Sequence, residues 1–183
     1  MIRLSFLLFM VSITVGTCQN QGAKSKDATN AKQADVHNHN PYYSRTDTTH
    51  LNVSDAEWKK VLPEDLYLVA RKKATEQAFT GRFWDFEGLG TYYCAACGNP
   101  LFRSDAKFAS TCGWPSFYEA LRRNSVRYET DTTYGMIRTE VLCGRCDGHL
   151  GHIFDDGPEP TGKRFCMNSI ILDFEPDSGK KSK

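Results

Sequence analysis

Two C-x-x-C pairs restrict the fold of this 183-residue chain more strongly than any other feature of its sequence. Cys94 and Cys97 form the first pair, and Cys143 and Cys146 form the second. Four thiolates in two such pairs suit tetrahedral zinc. Because a long stretch of chain separates the pairs, one zinc ion per chain would close a large loop and hold two parts of a domain together. A four-thiolate site leaves no open position for a substrate, so the predicted zinc is structural.

Other uses of these cysteines remain open from the sequence. Each C-x-x-C pair is also compatible with a redox dithiol, or the four cysteines with disulfides, which an exported protein would permit. His149 follows the second pair closely and is an alternative ligand. The doubled pattern favours zinc over these alternatives, since it provides four thiolates without a histidine.

The N-terminal part of the chain differs in composition from the rest. Residues 1–18 combine Arg3 with a short apolar run, which favours a signal peptide over a membrane-spanning helix of about 20 residues. The run ends in a segment that resembles a bacterial lipoprotein box, so lipid attachment to Cys18 and ordinary cleavage are both open. Residues 19–53 are polar and predict a flexible tether, which includes His37 and His39 as solvated side chains. The expected location is therefore exported, either periplasmic or in the cell envelope.

Residues 54–176 predict the ordered domain, and residues 177–183 predict a disordered tail. Ser54 and Glu57 have the spacing of a helix capping box, and Pro63 suits the first position of a second short helix. Beyond Gly81, short apolar or alternating runs between turn residues indicate mostly antiparallel β structure. Strands are predicted over residues 91–94, 101–103, 126–131, 136–142, 152–154 and 164–174.

Two further cysteines, Cys112 and Cys166, are candidates for chemistry. The strand predicted over residues 164–174 puts Arg164, Cys166 and Asn168 on one face, because side chains alternate along a strand. Arg164 would favour the thiolate of Cys166 and lower the pKa of this thiol from its reference value of about 8.5. A buried structural cysteine is the alternative.

Aromatic and imidazole side chains lie close to these cysteines in sequence. Trp114 follows Cys112 in a predicted turn, where its indole would suit a wall for a methyl group or simply belong to the core. His149 and His152 follow the second C-x-x-C pair, and imidazoles bind groups or donate protons near neutral pH. A histidine pair of this kind is otherwise a metal ligand or part of the core.

Taken together, these segments resemble the methionine-R-sulfoxide reductase B family. The resemblance covers about residues 55–175 and departs mildly at Phe165, where tyrosine is common in the family. It implies a mainly β fold, in which two antiparallel sheets form a tent-like or open barrel-like core with small N-terminal helices and a structural zinc site. The motifs that carry it are residues 113–117, 149–154 and 164–168, residues 78–81 with Trp84, and both cysteine pairs.

The resemblance also implies an activity, that of a peptide-methionine (R)-S-oxide reductase. Cys166 would be the nucleophile that becomes a sulfenic acid, and Cys112 the resolving cysteine that forms a disulfide with it. Thioredoxin, or a thioredoxin-like exported dithiol, would then reduce this disulfide. The substrate would be the R epimer of methionine sulfoxide, in oxidised proteins or free. The remaining roles implied are substrate binding by Trp114 and Phe154, contact with the sulfoxide oxygen by His149, His152 and Asn168, and tuning of the thiolate by Arg164.

Two other functions are weaker. A zinc-ribbon interaction module without catalysis would leave Cys112 and Cys166 unexplained. A general disulfide oxidoreductase usually carries its redox pair as one C-x-x-C, whereas these two cysteines are far apart in sequence. Nucleic acid is not expected as a partner, because 23 Lys and Arg residues balance 22 Asp and Glu residues.

Overall fold

A computed structural model describes residue 37 and residues 39–178, so the predicted signal peptide and Cys18 lie outside the described residues. The described part contains two α-helices and nine β-strands. The helices are α1 (Asp55–Val61) and α2 (Glu64–Lys72). The strands are β1 (Gly90–Cys94), β2 (Pro100–Arg103), β3 (Lys107–Phe108), β4 (Ser116–Phe117), β5 (Val126–Asp131), β6 (Arg138–Cys143), β7 (His149–Phe154), β8 (Arg164–Met167) and β9 (Leu172–Pro176).

The strands form two sheets in which every pairing is antiparallel. A three-stranded sheet has the order β2-β1-β9, and a six-stranded sheet has the order β3-β4-β8-β7-β6-β5. Aromatic side chains from both sheets meet in the core. Phe102 of β2 stacks on Phe117 of β4 with ring centroids 4.4 Å apart, and Tyr92 of β1 meets the same ring at 5.0 Å. The predicted mainly β fold with two antiparallel sheets and two small N-terminal helices is confirmed.

The two helices begin close to the predicted positions. The Ser54 hydroxyl accepts a hydrogen bond from the Glu57 amide at 3.3 Å, but the Glu57 carboxylate pairs with Lys60 rather than reaching back. Pro63 is the N-cap of α2, one position before the predicted one. Helix α2 packs against β7 through its apolar face, and in the described ranges neither helix has the length and apolar character needed to cross a membrane. The buried side chains of that face are Leu66, Tyr67, Val69 and Ala70.

The single long strand predicted over residues 164–174 is wrong. It is two strands, β8 and β9, which belong to different sheets. A turn separates them, and the Glu76 carboxylate stabilises this turn by accepting hydrogen bonds from the backbone amides of Ser169 at 2.5 Å and Ile170 at 3.0 Å. Because Glu76 is distant in sequence, the local alternation of side chains did not indicate the break.

Residues 40–53, here called the strap, pack against the domain where the sequence predicted a flexible tether. Arg145, a buried side chain in the second C-x-x-C pair, donates hydrogen bonds to the carbonyls of Tyr42 at 2.8 Å and Cys97 at 2.5 Å. The same guanidinium pairs with the Asp47 carboxylate at 2.9 Å. These contacts are polar, so an argument from low apolar content did not detect them.

Candidate active site

Strand register brings the candidate site residues onto one face of the six-stranded sheet. Cys166 of β8 lies opposite Ser116 of β4 on one side and His152 of β7 on the other. His152 lies opposite Glu140 of β6, which in turn lies opposite Glu129 of β5. Residues directly opposite each other in antiparallel strands point to the same face, so these five side chains form one row across the sheet.

The two candidate redox cysteines are in contact. Their Sγ atoms are 3.5 Å apart, although they come from different elements: Cys166 from β8, and Cys112 from the loop before β4. Hydroxyls hold Cys112 in place, with Ser110 Oγ 3.1 Å and Ser116 Oγ 3.5 Å from its sulfur. The separation of the two sulfurs exceeds the disulfide bond length of about 2.05 Å, so both residues are free cysteines.

This contact controls the pKa values of both thiols. The hydrogen bond between the sulfurs lowers the pKa of Cys112 and, together with burial, raises the pKa of Cys166. Arg164 acts on Cys166 in the predicted direction and lowers its pKa, but this effect is smaller than the other two. The predicted net lowering of the Cys166 pKa is therefore wrong.

Arg164 is fixed beside Cys166 by two contacts. Its guanidinium forms a two-point ion pair with Asp156, with both N–O distances 2.8 Å, and it lies 4.4 Å from the ring centroid of Phe154. The Asp156 carboxylate offsets part of the positive charge that Arg164 presents to the sulfur. Phe154, predicted to bind substrate, thus also supports the arginine.

Carboxylates hold both imidazoles. His149 Nδ1 lies 2.7 Å from Glu140 Oε1, and both residues are buried. The second oxygen of Glu140 accepts a hydrogen bond from Lys73 Nζ at 2.7 Å. Burial lowers the pKa of His149 below its usual value, and the hydrogen bond to Glu140 offsets only part of this shift. His149 and His152 are near each other, with ring centroids 5.5 Å apart.

His152 is held by Asp131, the last residue of β5. The distance from His152 Nε2 to Asp131 Oδ2 is 2.7 Å. Hydrogen bonds from the side chain and backbone of Thr133 lower the pKa of Asp131, and those from His152 and Arg138 lower it further. The carboxylate is therefore ionised, and it fixes the orientation of the His152 ring.

Trp114 and Asn168 both bind the segment that follows α2. The Trp114 indole is half-buried, and its Nε1 donates to the carbonyl of Glu76 at 3.2 Å. Asn168 is buried, and its Oδ1 accepts from the Glu76 amide at 3.0 Å while its Nδ2 donates to the Leu150 carbonyl at 3.1 Å. The Asn168 amide thus joins two backbone segments, whereas the resemblance placed it at the sulfoxide oxygen.

The four predicted metal ligands come together in a separate buried cluster. Cys94 Sγ is 3.8 Å from Cys146 Sγ, Cys97 Sγ is 3.6 Å from Cys143 Sγ, and all four sulfurs lie within 4.8 Å of one another. Zinc–sulfur bonds of about 2.3 Å give a tetrahedral S–S separation of about 3.8 Å, so the spacing suits this geometry. Disulfides would require about 2.05 Å. The four thiols can therefore hold a metal ion.

Sequence reasoning missed the charged residues that position this machinery. Glu140, Asp131, Asp156 and Glu76 each hold a predicted site residue or its loop, and none was singled out. One signal was present for Glu140, because a carboxylate within an otherwise apolar stretch of a predicted strand requires a buried partner. The other three have no comparable local signal, since their partners are set by tertiary contacts.

A cavity of about 520 Å³ lies away from these groups. Its lining includes Phe165 and Ile153, which are opposite each other in β8 and β7 and alternate with Cys166 and His152. The cavity is therefore on the other face of the six-stranded sheet. It does not contact the two sulfurs or the imidazoles, so it is not the reaction site.

Comparison with known proteins gives the family. The family model described as the SelR domain matches residues 62–176. A peptide methionine sulfoxide reductase MsrB from Thiobacillus denitrificans is 58% identical over 123 residues, which are 67% of this chain and 93% of that protein. The chain belongs to the methionine-R-sulfoxide reductase B family. The MsrB resemblance carried by the sequence motifs is thus confirmed.

Other MsrB proteins show comparable similarity. The peptide methionine sulfoxide reductase MsrB of Methanosarcina barkeri is 52% identical over 128 residues, 70% of this chain and 90% of that protein. The protein of the same name from Leptospira interrogans is 50% identical over 127 residues, 69% of this chain and 97% of that protein. Since each match spans nearly all of the relative, this chain contains the whole MsrB domain.

Proposed function

We propose that this protein is a repair enzyme that reduces the R epimer of methionine sulfoxide in oxidised proteins to methionine. One observation carries the proposal: two cysteines of an MsrB-family domain lie 3.5 Å apart on the sheet face that also bears two carboxylate-held imidazoles. An assay that separates the sulfoxide epimers tests it. Loss of the R epimer with accumulation of methionine is expected, and turnover of the S epimer alone would contradict the proposal.

In the first step, Cys166 acts as the nucleophile. Cys166 attacks as the thiolate, the form that the positive charge of Arg164 favours. The thiolate attacks the sulfoxide sulfur, and His149 and His152 supply the proton that the departing oxygen requires. This attack forms a bond between the Cys166 sulfur and the sulfoxide sulfur. That S–S bond and the sulfoxide S–O bond then break as the oxygen transfers to Cys166, so the methionine sulfur is reduced by two electrons and the Cys166 sulfur is oxidised by two. The products are methionine and the Cys166 sulfenic acid.

In the second step, Cys112 resolves the sulfenic acid. Its sulfur attacks Cys166, an S–S bond forms, and the oxygen leaves as water. The two sulfurs need to approach by only about 1.5 Å to reach bonding distance. An external dithiol, thioredoxin or a thioredoxin-like exported protein, then reduces the disulfide and becomes oxidised itself.

Replacing Cys112 with serine should therefore separate the two steps. C112S is expected to release one equivalent of methionine per enzyme and then stop with thioredoxin as reductant, because no disulfide can form. Thiol titration after one dose of the R-sulfoxide measures this, with two thiols lost in the wild type and one in C112S. Full thioredoxin-linked turnover of C112S would instead show that another thiol resolves the intermediate.

Selection of one epimer follows from three fixed contacts. Trp114 would hold the methyl group, the two imidazoles the oxygen, and Cys166 would face the sulfur. The indole is fixed by its hydrogen bond to the Glu76 carbonyl, and the imidazoles by Glu140 and Asp131. With the methyl group and the oxygen fixed and the sulfur facing Cys166, only one hand at the sulfur places the rest of the chain in the remaining direction.

The Glu140–His149 contact predicts a change in pH dependence. Protonated His149 is present only below its pKa, so kcat/KM should fall as the pH rises through that value. Glu140 raises this pKa, and Glu140→Gln removes that effect. The descending limb of kcat/KM is expected to move to lower pH, with activity at pH 7 reduced about tenfold or more.

Glu129→Gln is the matched control for Glu140→Gln. Glu129 is opposite Glu140 in register and has the same charge, but it is exposed and forms an ion pair with Arg127. Its pH profile should match that of the wild type. An unchanged profile for E140Q, or equal shifts for both variants, would contradict the assignment of His149 as the proton donor.

A zinc ion would be held by Cys94, Cys97, Cys143 and Cys146, whose spacing fits it. Four protein ligands complete its coordination, so it supplies cross-linking of two parts of the chain and no step of the reaction. The first pair follows β1 of one sheet, and the second joins β6 to β7 of the other. The ion would therefore fix the turn between Cys143 and Cys146, and β7 begins shortly after that turn, at His149.

Export is proposed on the composition of residues 1–18, with the mature protein in the periplasm or cell envelope. Attachment of lipid to Cys18 remains the alternative to simple cleavage. The intact mass of the protein isolated from its native cell distinguishes them. A mass equal to the full chain would contradict processing of either kind.

A further inference from the structure

The turn between β5 and β6 exposes three apolar side chains. This turn, residues 132–137, is called the hairpin tip. Tyr134 is 90% exposed, Ile137 is 86% exposed and Met136 is 45% exposed. Tyr134 and Ile137 are the two most exposed large apolar side chains among the described residues. Exposed apolar groups concentrated in one short turn are typical of a surface that binds a partner.

The hairpin tip is held firmly next to the reaction site. At its base, the Asp131 carboxylate accepts hydrogen bonds from the backbone and the hydroxyl of Thr133, at 2.9 and 2.7 Å. Arg138, on the other strand, pairs with the same carboxylate at 2.6 Å. That carboxylate also holds His152 at 2.7 Å. The position of the tip is thus tied to the position of an imidazole opposite Cys166.

The chemistry of the substrate indicates what would cover this surface. Methionine is mostly buried among apolar residues in folded proteins, and its oxidation to the polar sulfoxide disrupts such cores. An oxidised methionine therefore lies in a partly unfolded segment of the substrate, and its neighbours in that segment are apolar. Chain on either side of the sulfoxide must pass over the surface next to the site, and Asp131, which binds His152, joins the hairpin tip to that surface. The charges at the base of the tip, Asp131 and Arg138, pair with each other, which leaves apolar contact as its main means of binding.

We propose that the hairpin tip binds apolar residues that flank methionine sulfoxide in loosened polypeptide substrates. This inference rests on the proposed reductase function and adds a substrate preference to it. Contact through apolar side chains tolerates many sequences, as an enzyme that repairs different proteins requires. It also favours unfolded over folded substrates, because folded proteins keep such neighbours buried.

The test compares a large and a small substrate in one variant. Tyr134→Ser and Ile137→Ser are combined, since both side chains are solvent-exposed and their loss should not disturb folding. The value of kcat/KM for an oxidised, unfolded, apolar polypeptide is expected to fall about tenfold. The value for N-acetylmethionine-R-sulfoxide is expected to stay at the wild-type level. Leu89→Ser, which removes a 42% exposed apolar side chain beside the three-stranded sheet, is the control and should change neither value.

Each outcome decides between the alternatives. Equal losses with both substrates, or no loss with either, would overturn the docking role while the reductase function stands. The same tenfold loss in Leu89→Ser would also overturn it, because general apolar surface would then explain the effect. If the wild type reduces neither substrate, the reductase function fails and the docking role fails with it. A selective loss with the polypeptide alone supports the proposal.

Discussion

Replacing Cys166 with serine is expected to abolish reductase turnover, with a loss on the order of 10⁴-fold or more. Serine keeps the shape of the side chain, but its hydroxyl is a far weaker nucleophile than a thiolate. The assay should use dithiothreitol and follow methionine formed from the R epimer. A small dithiol can reduce the sulfenic acid directly, so the assay reports the first chemical step without requiring Cys112.

Cys112→Ser is the matched control, and it also tests which cysteine attacks. The hydrogen bond between the sulfurs lowers the pKa of Cys112 and raises the pKa of Cys166, so acidity alone would favour Cys112 as the nucleophile. Position argues for Cys166, because it lies opposite His152 in β8 and beside Arg164, whereas Cys112 lies in a loop. With dithiothreitol, C112S should retain most activity. The reverse result, an active C166S and an inactive C112S, would exchange the two roles.

Loss of the metal cluster is expected to unfold the domain. Cys97→Ser removes one of four buried ligands, and the zinc content should fall from one ion per chain to none. Structural zinc contributes about 10–16 kcal/mol of apparent binding free energy in small domains, which is comparable with the whole stability of about 5–15 kcal/mol. Elemental analysis and thermal unfolding followed by circular dichroism measure the two effects.

The control for this experiment is again Cys112→Ser, which removes a cysteine outside the cluster. It should bind one zinc ion and unfold at the wild-type temperature. A metal-free C97S protein with undiminished thermal stability would show that the cluster does not stabilise the fold. Wild type treated with a chelator should behave like C97S, since both lack the cross-link between the cysteine pairs.

Residues whose role is local were predictable from the sequence. The paired spacing of Cys94 with Cys97 was enough to predict a ligand pair, because both sulfurs are set by one turn of backbone. The apolar face of α2 followed from helical periodicity, and β5 was predicted over its full length from residue 126 to residue 131. In each case the physical cause lies within a few residues of the feature.

Features that depend on a distant partner were not predictable. The break between β8 and β9 is stabilised by Glu76, and the strap is bound by side chains distant in sequence, such as Arg145 and Asp173. The pKa of Cys166 depends on Cys112, a residue of another element. Knowledge of Arg164 alone therefore gave the wrong net direction. Carboxylates such as Asp131 acquire their role only when register puts a histidine within hydrogen-bonding distance.

The row of side chains from Ser116 to Glu129 exists only in one strand register, so the activity of the enzyme depends on that register. Shifting β8 by one residue relative to its neighbours would turn the Cys166 sulfur to the opposite side of the sheet and bring Phe165 up to His152. Gly151 permits this alignment, because a Cβ there would lie 2.1 Å from the Cys166 carbonyl oxygen and would push β7 and β8 apart. A misaligned molecule would thus be inert rather than partly active. Specific activity would then measure the fraction of molecules with the correct register.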